Sequence, residues 1–162
     1  MSKPIKVALA AACAQDTHDV PAAPDTTESV DPLVGSDGAY TAPTGSTQVN
    51  RYSVLTNDAA AGATQLRVNA LTDLGGVNAG DLLLVIQMQG ATIATGDALG
   101  YGAVTNLNSA GRWELVQATG TTGTTRINLS ASCGLKNSYS ASAGSQVVKV
   151  PQYSSLTVAS GR

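Results

Sequence analysis

Residues 81–88 read Asp-Leu-Leu-Leu-Val-Ile-Gln-Met, and positions 82–86 are apolar without interruption. A short continuous run of this kind predicts a strand at the centre of a sheet, covered on both faces, or a strand that lines a tight barrel. The preceding residues, 79–81, read Ala-Gly-Asp and have the chemistry of a turn, because glycine tolerates positive φ and aspartate accepts bonds from nearby amides. We therefore place the centre of the fold at this strand.

Three further segments show the two-residue period of half-buried strands. Residues 65–69 (Gln-Leu-Arg-Val-Asn) and 126–129 (Arg-Ile-Asn-Leu) alternate strictly between polar and apolar side chains, which predicts that one face of each lies in the core. In segment 112–118, Trp113 and Leu115 share one parity and are predicted to point inward, so Glu114 is predicted to face solvent or to pair with a basic neighbour.

The chain from residue 47 onward alternates short β-prone runs with clusters of Gly, Ala, Asn and Asp. This pattern predicts about seven short strands and leaves no room for long helices. The predicted strands are residues 48–55, 64–70, 81–88, 112–118, 124–129, 145–150 and 155–159. Residues 47–162 are therefore predicted to form an all-β domain, either a small antiparallel β-barrel or a β-sandwich.

The first 13 residues resemble a bacterial lipoprotein signal. Lys3 and Lys6 precede a short apolar run that ends in small residues and Cys13. Cys13 would then carry the lipid, and this anchor would be the contact with the membrane. The alternative is an ordinary Ala-rich start, in which case Cys13 could form a disulfide with Cys133 in an oxidising compartment.

Residues 14–46 contain six acidic residues, no Lys or Arg, and four of the six prolines of the chain. No periodic apolar face is present, so burial cannot offset the roughly 1–2 kcal/mol per residue lost on ordering the backbone. The segment is predicted to be a disordered acidic tether that holds the domain away from the membrane. The single histidine, His18, is predicted to be a solvated residue of this tether.

Several classes of function are disfavoured by composition. No segment clusters Lys or Arg with aromatic residues, so nucleic acid is excluded as a partner, and no apolar run approaches the ~20 residues of a transmembrane helix. A triad that depends on His is excluded because residues 47–162 contain no His. Asp58 and Asp73 fit turns better than a calcium loop. The sequence thus predicts no catalytic residue, no metal site and no cofactor.

The connection formed by residues 89–111 is rich in Gly and Ala and is long for a compact β domain. Long connections often carry the binding function of such domains, although this one could be merely a long loop. Tyr101 and Asp97 lie within it and are the candidate ligand-binding residues. Tyr139 and Tyr52 are further candidates, since tyrosine rings can stack on a sugar.

Residues 79–93, Ala-Gly-Asp-Leu-Leu-Leu-Val-Ile-Gln-Met-Gln-Gly-Ala-Thr-Ile, resemble a recurrent N-terminal region of large bacterial cell-surface proteins of the myxobacterial gliding-motility type. The resemblance extends over residues 48–160. It includes residues 111–116 (Gly-Arg-Trp-Glu-Leu-Val) and 148–158 (Val-Lys-Val-Pro-Gln-Tyr-Ser-Ser-Leu-Thr-Val).

This resemblance implies a setting in the cell envelope, either at the outer-membrane surface or outside the cell, and it brings no catalytic residues. It also implies that further β-rich domains follow in the same protein, so the present chain would be a truncated front piece. The partners expected are those downstream domains or other surface components. The expected function is a non-catalytic structural or adhesion module, and the alternative is a small ligand-binding domain, possibly for a glycan.

Overall fold

The computed structural model describes residues 36–43, 45, 48–132 and 134–158. The predicted signal (1–13), the tether as far as residue 35, and Cys133 lie outside the described residues. In the described part of the chain, no helix has the length and apolar character needed to span a membrane.

The described residues form ten strands and two short 3-10 helices. The strands are β1 (Ala39–Ala42), β2 (Arg51–Val54), β3 (Gln65–Arg67), β4 (Leu82–Gln87), β5 (Thr92–Ile93), β6 (Val104–Asn106), β7 (Trp113–Thr122), β8 (Arg126–Leu129), β9 (Ser145–Val150) and β10 (Ser155–Val158). The 3-10 helices are Leu71–Leu74 and Ala141–Ala143. The prediction of an all-β fold is confirmed.

Six strands form one curled antiparallel sheet in the order β2-β9-β4-β7-β8-β3. Its two edge strands approach each other where Leu55 and Val68 form an isolated antiparallel bridge. Backbone hydrogen bonds flank this bridge, from Thr56 N to Arg67 O and from Asn69 N to Val54 O, each 3.0 Å long. The sheet is therefore a small half-barrel with a defined inner and outer side.

Strand β4 is central in this sheet, as its apolar run predicts, since it pairs with both β9 and β7. Its burial alternates: Leu83 and Val85 are completely buried on the inner side, whereas Leu84 and Ile86 on the outer side are half-buried. Full coverage of both faces is thus not observed. The strand lines a small barrel, which was the second interpretation of the run.

The core fills the inner side of the half-barrel. Its buried residues come from all parts of the sheet and from the connections that close the ends. They are Leu55, Ala59, Leu66, Val68, Leu74, Val77, Leu83, Val85, Val116, Ala118, Ile127, Leu129, Leu135, Tyr139 and Val147. The strict alternation predicted for residues 65–69 and 126–129 is confirmed, because Leu66 and Ile127 are buried and face each other in the register.

The parity predicted for β7 is wrong. Trp113 and Leu115 are 54% and 52% exposed on the outer side, whereas Glu114 is only 8% exposed on the inner side. The physical reason is that the Glu114 carboxylate accepts hydrogen bonds from the backbone N–H groups of Lys136 and Asn137, at 2.8 and 3.0 Å. A carboxylate satisfied in this way can replace an apolar side chain on the inner side.

All seven predicted strands have counterparts, and β1, β5 and β6 are additional. Strand β1 lies inside the range predicted to be tether, so that range is wrong at its C-terminal end. The reason is a long-range pairing: β1 runs parallel to β10, and the rings of Tyr40 and Tyr153 stack with their centroids 4.8 Å apart. The folded part therefore begins before residue 47.

Candidate interaction surface

The outer side of strands β2, β9, β4 and β7 carries apolar side chains in adjacent rows. The register places Tyr52 beside Val148, Val148 beside Leu84, and Leu84 beside Leu115. A second row runs from Val54 through Gln146 and Ile86 to Trp113. Together with Leu82 and Val150 these rows form a continuous surface across four strands, which we call the apolar outer face.

The apolar outer face is unusual because the side of a sheet that meets water ordinarily carries polar residues. Its polar members are the amides of Gln146 and Gln117, and none of its residues is charged in these four described strands. Tyr52, Val54, Trp113 and Leu115 are all exposed. Contiguous exposed apolar surface of this kind is a mark of an interaction site.

The charged residues of the same four strands all have the opposite parity. Arg51, Glu114 and Lys149 lie on the inner side, toward the ends of the half-barrel. Lys149 forms a salt bridge with Asp81, with 2.7 Å between Nζ and Oδ2, and also donates to the carbonyl of Gly76. Glu114 and Lys149 thus bond within the domain, and the outer face carries no charge.

The connection between β4 and β7 is a protruding hairpin built from β5 and β6. The backbone bonds Ala94 N to Ala103 O and Gly102 N to Ala94 O, both 2.8 Å, continue the hairpin toward its tip. Asp97 and Tyr101 lie in that tip, and Tyr101 is 72% exposed. The structure therefore places two of the predicted ligand residues together on an exposed projection.

Tyr139 is not a surface residue, which corrects its prediction as a stacking platform. It is 2% exposed in the core, where residue 139 forms a bridge with Ala59. Its hydroxyl has no hydrogen-bond partner among the described residues. Burial and the nearby Glu114 carboxylate both raise the pKa of Tyr139 above its ordinary value, so this phenol stays neutral.

Tyr52 is exposed, as a stacking platform must be, but it lies on the apolar outer face rather than on the hairpin. The predicted tyrosines are therefore distributed over three places: the hairpin tip, the outer face and the core. They do not form one binding site.

Asp58 and Asp73, which are predicted to serve in turns, belong instead to the surroundings of the two 3-10 helices: Asp58 bonds to the start of the second, and Asp73 lies in the first. Asp58 accepts hydrogen bonds from Ala141 N at 2.8 Å and from Ser140 Oγ at 3.1 Å, which fixes the start of the second 3-10 helix. Asp73 accepts bonds from Asn69 and Ser53, and these bonds lower the pKa of its carboxyl. No group of three or more potential metal ligands is found among the described residues.

Sequence reasoning missed the apolar outer face, although the signal was present. Alternate positions of β4, Leu82, Leu84 and Ile86, are as apolar as the positions between them, and Trp113 pairs with Ile86. An uninterrupted apolar run is typical of a strand covered on both faces or of one that lines a tight barrel. It marks equally well a strand with a core on one side and an interaction surface on the other.

No protein-family model matches the chain, and no curated protein matches it. Among solved structures, the chain is similar to the Gp54 tailspike of Acinetobacter baumannii bacteriophage AP22, which was solved in complex with A. baumannii capsular saccharide. The identity is 13% and the TM-score 0.43, over 67% of this chain and 17% of the tailspike. At so low a TM-score, the saccharide of the tailspike says nothing about a ligand of this chain.

Proposed function

We propose that this chain is a non-catalytic module of the bacterial cell surface that binds a partner protein through its apolar outer face. The observation that carries the proposal is the neutral character of that face. Nine apolar side chains and two amides span four strands without a charged residue. Exposed apolar surface costs free energy in water, and a protein partner would recover it on binding.

The chemistry of the face favours a protein over a glycan. A saccharide presents many hydroxyl groups, and each hydroxyl that is removed from water needs a hydrogen-bond partner. Gln146 and Gln117 are the polar side chains that the apolar outer face offers. A second β-sheet fits better, because two sheets pack through interdigitating apolar side chains at a spacing of about 10 Å. The expected partners are therefore β-rich domains of the same protein or of another surface component.

The proposal that the module is non-catalytic is supported by what its acidic side chains do. Glu114 is held by backbone amides, Asp81 by Lys149, Asp58 by Ser140 and the N–H of Ala141, and Asp73 by Ser53 and Asn69. Each of these carboxylates is occupied in holding two parts of the backbone or two strands together. None is paired with another carboxylate across a cleft in the way that glycoside hydrolysis requires.

The proposed location in the cell envelope is supported by the resemblance of residues 1–13 to a lipoprotein signal and by the abundance of small residues and low content of charged residues in the chain. Its test is the intact mass of the protein recovered from the membrane fraction of a Gram-negative host. The expected mass is that of a chain that begins at Cys13 and carries a lipid. Soluble protein that begins at Met1 or Ser2 would remove the support for an anchored location.

The docking proposal is tested by photo-crosslinking in cells that naturally produce the protein. A benzophenone amino acid that replaces Leu115 reports on the apolar outer face. The same amino acid in place of Arg67, on strand β3 outside that face, is the matched control. A discrete crosslinked protein band is expected for position 115 alone, and its mass spectrum identifies the partner. Equal crosslinking at both positions, or none at 115, would overturn the proposal.

A glycan-binding function is the second candidate, and a groove beside the half-barrel favours it. The groove is open to solvent, has a volume of about 390 Å³ and is lined in part by Asp37, Arg51, Lys149 and Tyr153. The Arg51 guanidinium beside the ring of Tyr153 suits a sugar with an acidic group. Binding of surface polysaccharide that is lost in Arg51→Gln but retained in Trp113→Gln would favour this function over docking through the outer face.

A further inference from the structure

Strands β1 and β10 form a two-stranded parallel ribbon that is separate from the six-stranded sheet. The register pairs Tyr40 with Leu156 and Ala42 with Val158, so these four apolar side chains share one face of the ribbon. Leu156 and Val158 are 57% and 61% exposed. At one end of the ribbon, Gln152 N in the connection from β9 to β10 donates to the Asp37 carboxylate at 2.7 Å.

Such a ribbon is incomplete by the usual rules of sheet formation. Parallel strands occur almost only where both faces are covered, and a two-stranded sheet is at best marginally stable in water. Three or more strands with an apolar face are needed for independent stability. The ribbon has the apolar face but, among the described residues, only the two strands.

The outer edge of β10 also lacks the features that prevent strands from pairing with other chains. Protected edges carry charged side chains, proline or a bulge. Strand β10 reads Ser-Leu-Thr-Val and has none of these. Its β-branched and apolar residues favour extended backbone, so this edge is a template for a further strand.

We propose that β10 pairs with β10 of a second copy of this chain, so that two ribbons join into one four-stranded sheet. A two-fold axis between the copies makes the new pair antiparallel. A second copy is favoured as the partner because β10 contains no charged residue, so no like charges would be opposed. Its Ser and Thr residues are also good cross-strand neighbours. The joined sheet would also place two copies of Leu156 and Val158 on one apolar face.

Sedimentation of the full chain tests this proposal with complementary charges. One variant carries Ser155→Lys and Thr157→Lys, and the other carries Ser155→Glu and Thr157→Glu. In a pair of identical strands, each introduced charge would lie opposite a like charge of the second copy, which destabilises the pair. The unsubstituted chain is expected to shift from monomer to dimer over about a hundredfold rise in concentration, since association follows mass action. Each variant alone is expected to stay monomeric, and an equal mixture of the two is expected to form a heterodimer.

Two controls separate this surface from the proposed docking face. Circular dichroism checks that both variants remain folded, and Trp113→Gln with Leu115→Gln is expected to leave the dimer unchanged. A chain that stays monomeric throughout the concentration range would overturn the proposal. So would lysine and glutamate variants that dimerise separately, and a dimer that is lost only with the Trp113 and Leu115 substitutions would belong to the outer face instead.

Discussion

The two halves of the outer side of the same sheet differ sharply in chemistry. Strands β2, β9, β4 and the first part of β7 present the apolar outer face. Strands β8 and β3, with the end of β7, present Gln65, Arg67, Arg126, Asn128 and Thr122. In this polar half, Gln65 donates to Asn128 at 2.9 Å and Asn128 donates to Thr122 at 3.0 Å. The register of β7 shifts between Ala118 and Gly120, where the apolar half gives way to the polar half.

On the inner side, both halves cover the same buried core. Leu83 and Val85 under the apolar half and Leu66 and Ile127 under the polar half are all completely buried. The polar half shows that a strand of this sheet can cover the core and still meet water with polar side chains. The core therefore does not require an apolar outer side, which agrees with our proposal that the apolar outer face binds another molecule.

The largest effect is expected from removing side chains on the inner side. Leu83→Ala and Leu66→Ala should each lower the free energy of unfolding by about 2–5 kcal/mol, because each leaves a cavity in a packed core. Urea unfolding monitored by circular dichroism measures both. Similar losses would confirm that one core lies under both halves, and a loss confined to Leu83→Ala would show that the polar half is not part of the cooperative fold.

The next largest effect on stability tests which residues of β7 point to the inner side. Glu114→Ala should destabilise the domain by about 1–3 kcal/mol, because the N–H groups of Lys136 and Asn137 lose their buried acceptor. The matched control is Leu115→Ala, one position away on the outer side, for which a smaller loss is expected. If Leu115→Ala proved the more costly in urea unfolding, Leu115 would be the inward residue and the boundary of the apolar outer face would be wrong.

A smaller effect is expected at alkaline pH from Tyr139. The pKa of this residue is raised in the folded state, so the stabilisation is complete below the ordinary tyrosine pKa of about 10 and is lost as pH rises above that value. One pH unit above it, the unfolded state gains about 1 kcal/mol by ionising. Tyr139→Phe should remove this part of the pH dependence, because phenylalanine has no hydroxyl that can ionise.

The measurement compares urea unfolding of the parent chain and Tyr139→Phe at neutral pH and at pH values above about 10. The other tyrosines and the lysines are common to both proteins and cancel in the difference. Identical pH profiles would mean that Tyr139 ionises in the folded state as readily as in the unfolded state. Its hydroxyl would then be accessible to water rather than buried.

The smallest effect on stability is expected from the outer side itself. Trp113→Gln with Leu115→Gln should change the free energy of unfolding by no more than about 1 kcal/mol, as exposed positions usually do. The same substitutions should lower the fluorescence of a dye that binds exposed apolar surface. Arg67→Gln with Arg126→Gln is the matched pair on the polar half and should leave dye binding unchanged. Equal dye binding in both pairs would remove the distinction between the two halves.

Much of the sheet could be predicted from local patterns. The alternation in residues 65–69 and 126–129 fixed which side chains enter the core, because a strand turns successive side chains to opposite faces. The same rule failed at β7, where both parities carry large apolar residues and only the contact of Glu114 with residues 136 and 137 selects between them. That contact joins positions more than 20 residues apart, so no local pattern could reveal it.

The candidate surfaces were predicted less completely. The sequence predicts a long connection at residues 89–111 that could carry binding, and the structure shows it as an exposed hairpin with Tyr101 and Asp97 at its tip. Tyr139 could not be assigned to the core because its burial depends on how residues 134–140 fold back over the end of the half-barrel. Strand β1 could not be predicted either, since its partner β10 is more than 100 residues away in sequence.

The sequence by itself determined the all-β class, the central position of β4 and the alternation of the polar half, because these follow from side-chain chemistry at neighbouring positions. Only the tertiary structure decided which side of β7 is inner, that Tyr139 is buried, and that β1 joins β10. It also decided that apolar residues of four separate strands lie side by side on the outer surface. Each of these depends on strand register, which long-range pairing sets and local sequence does not.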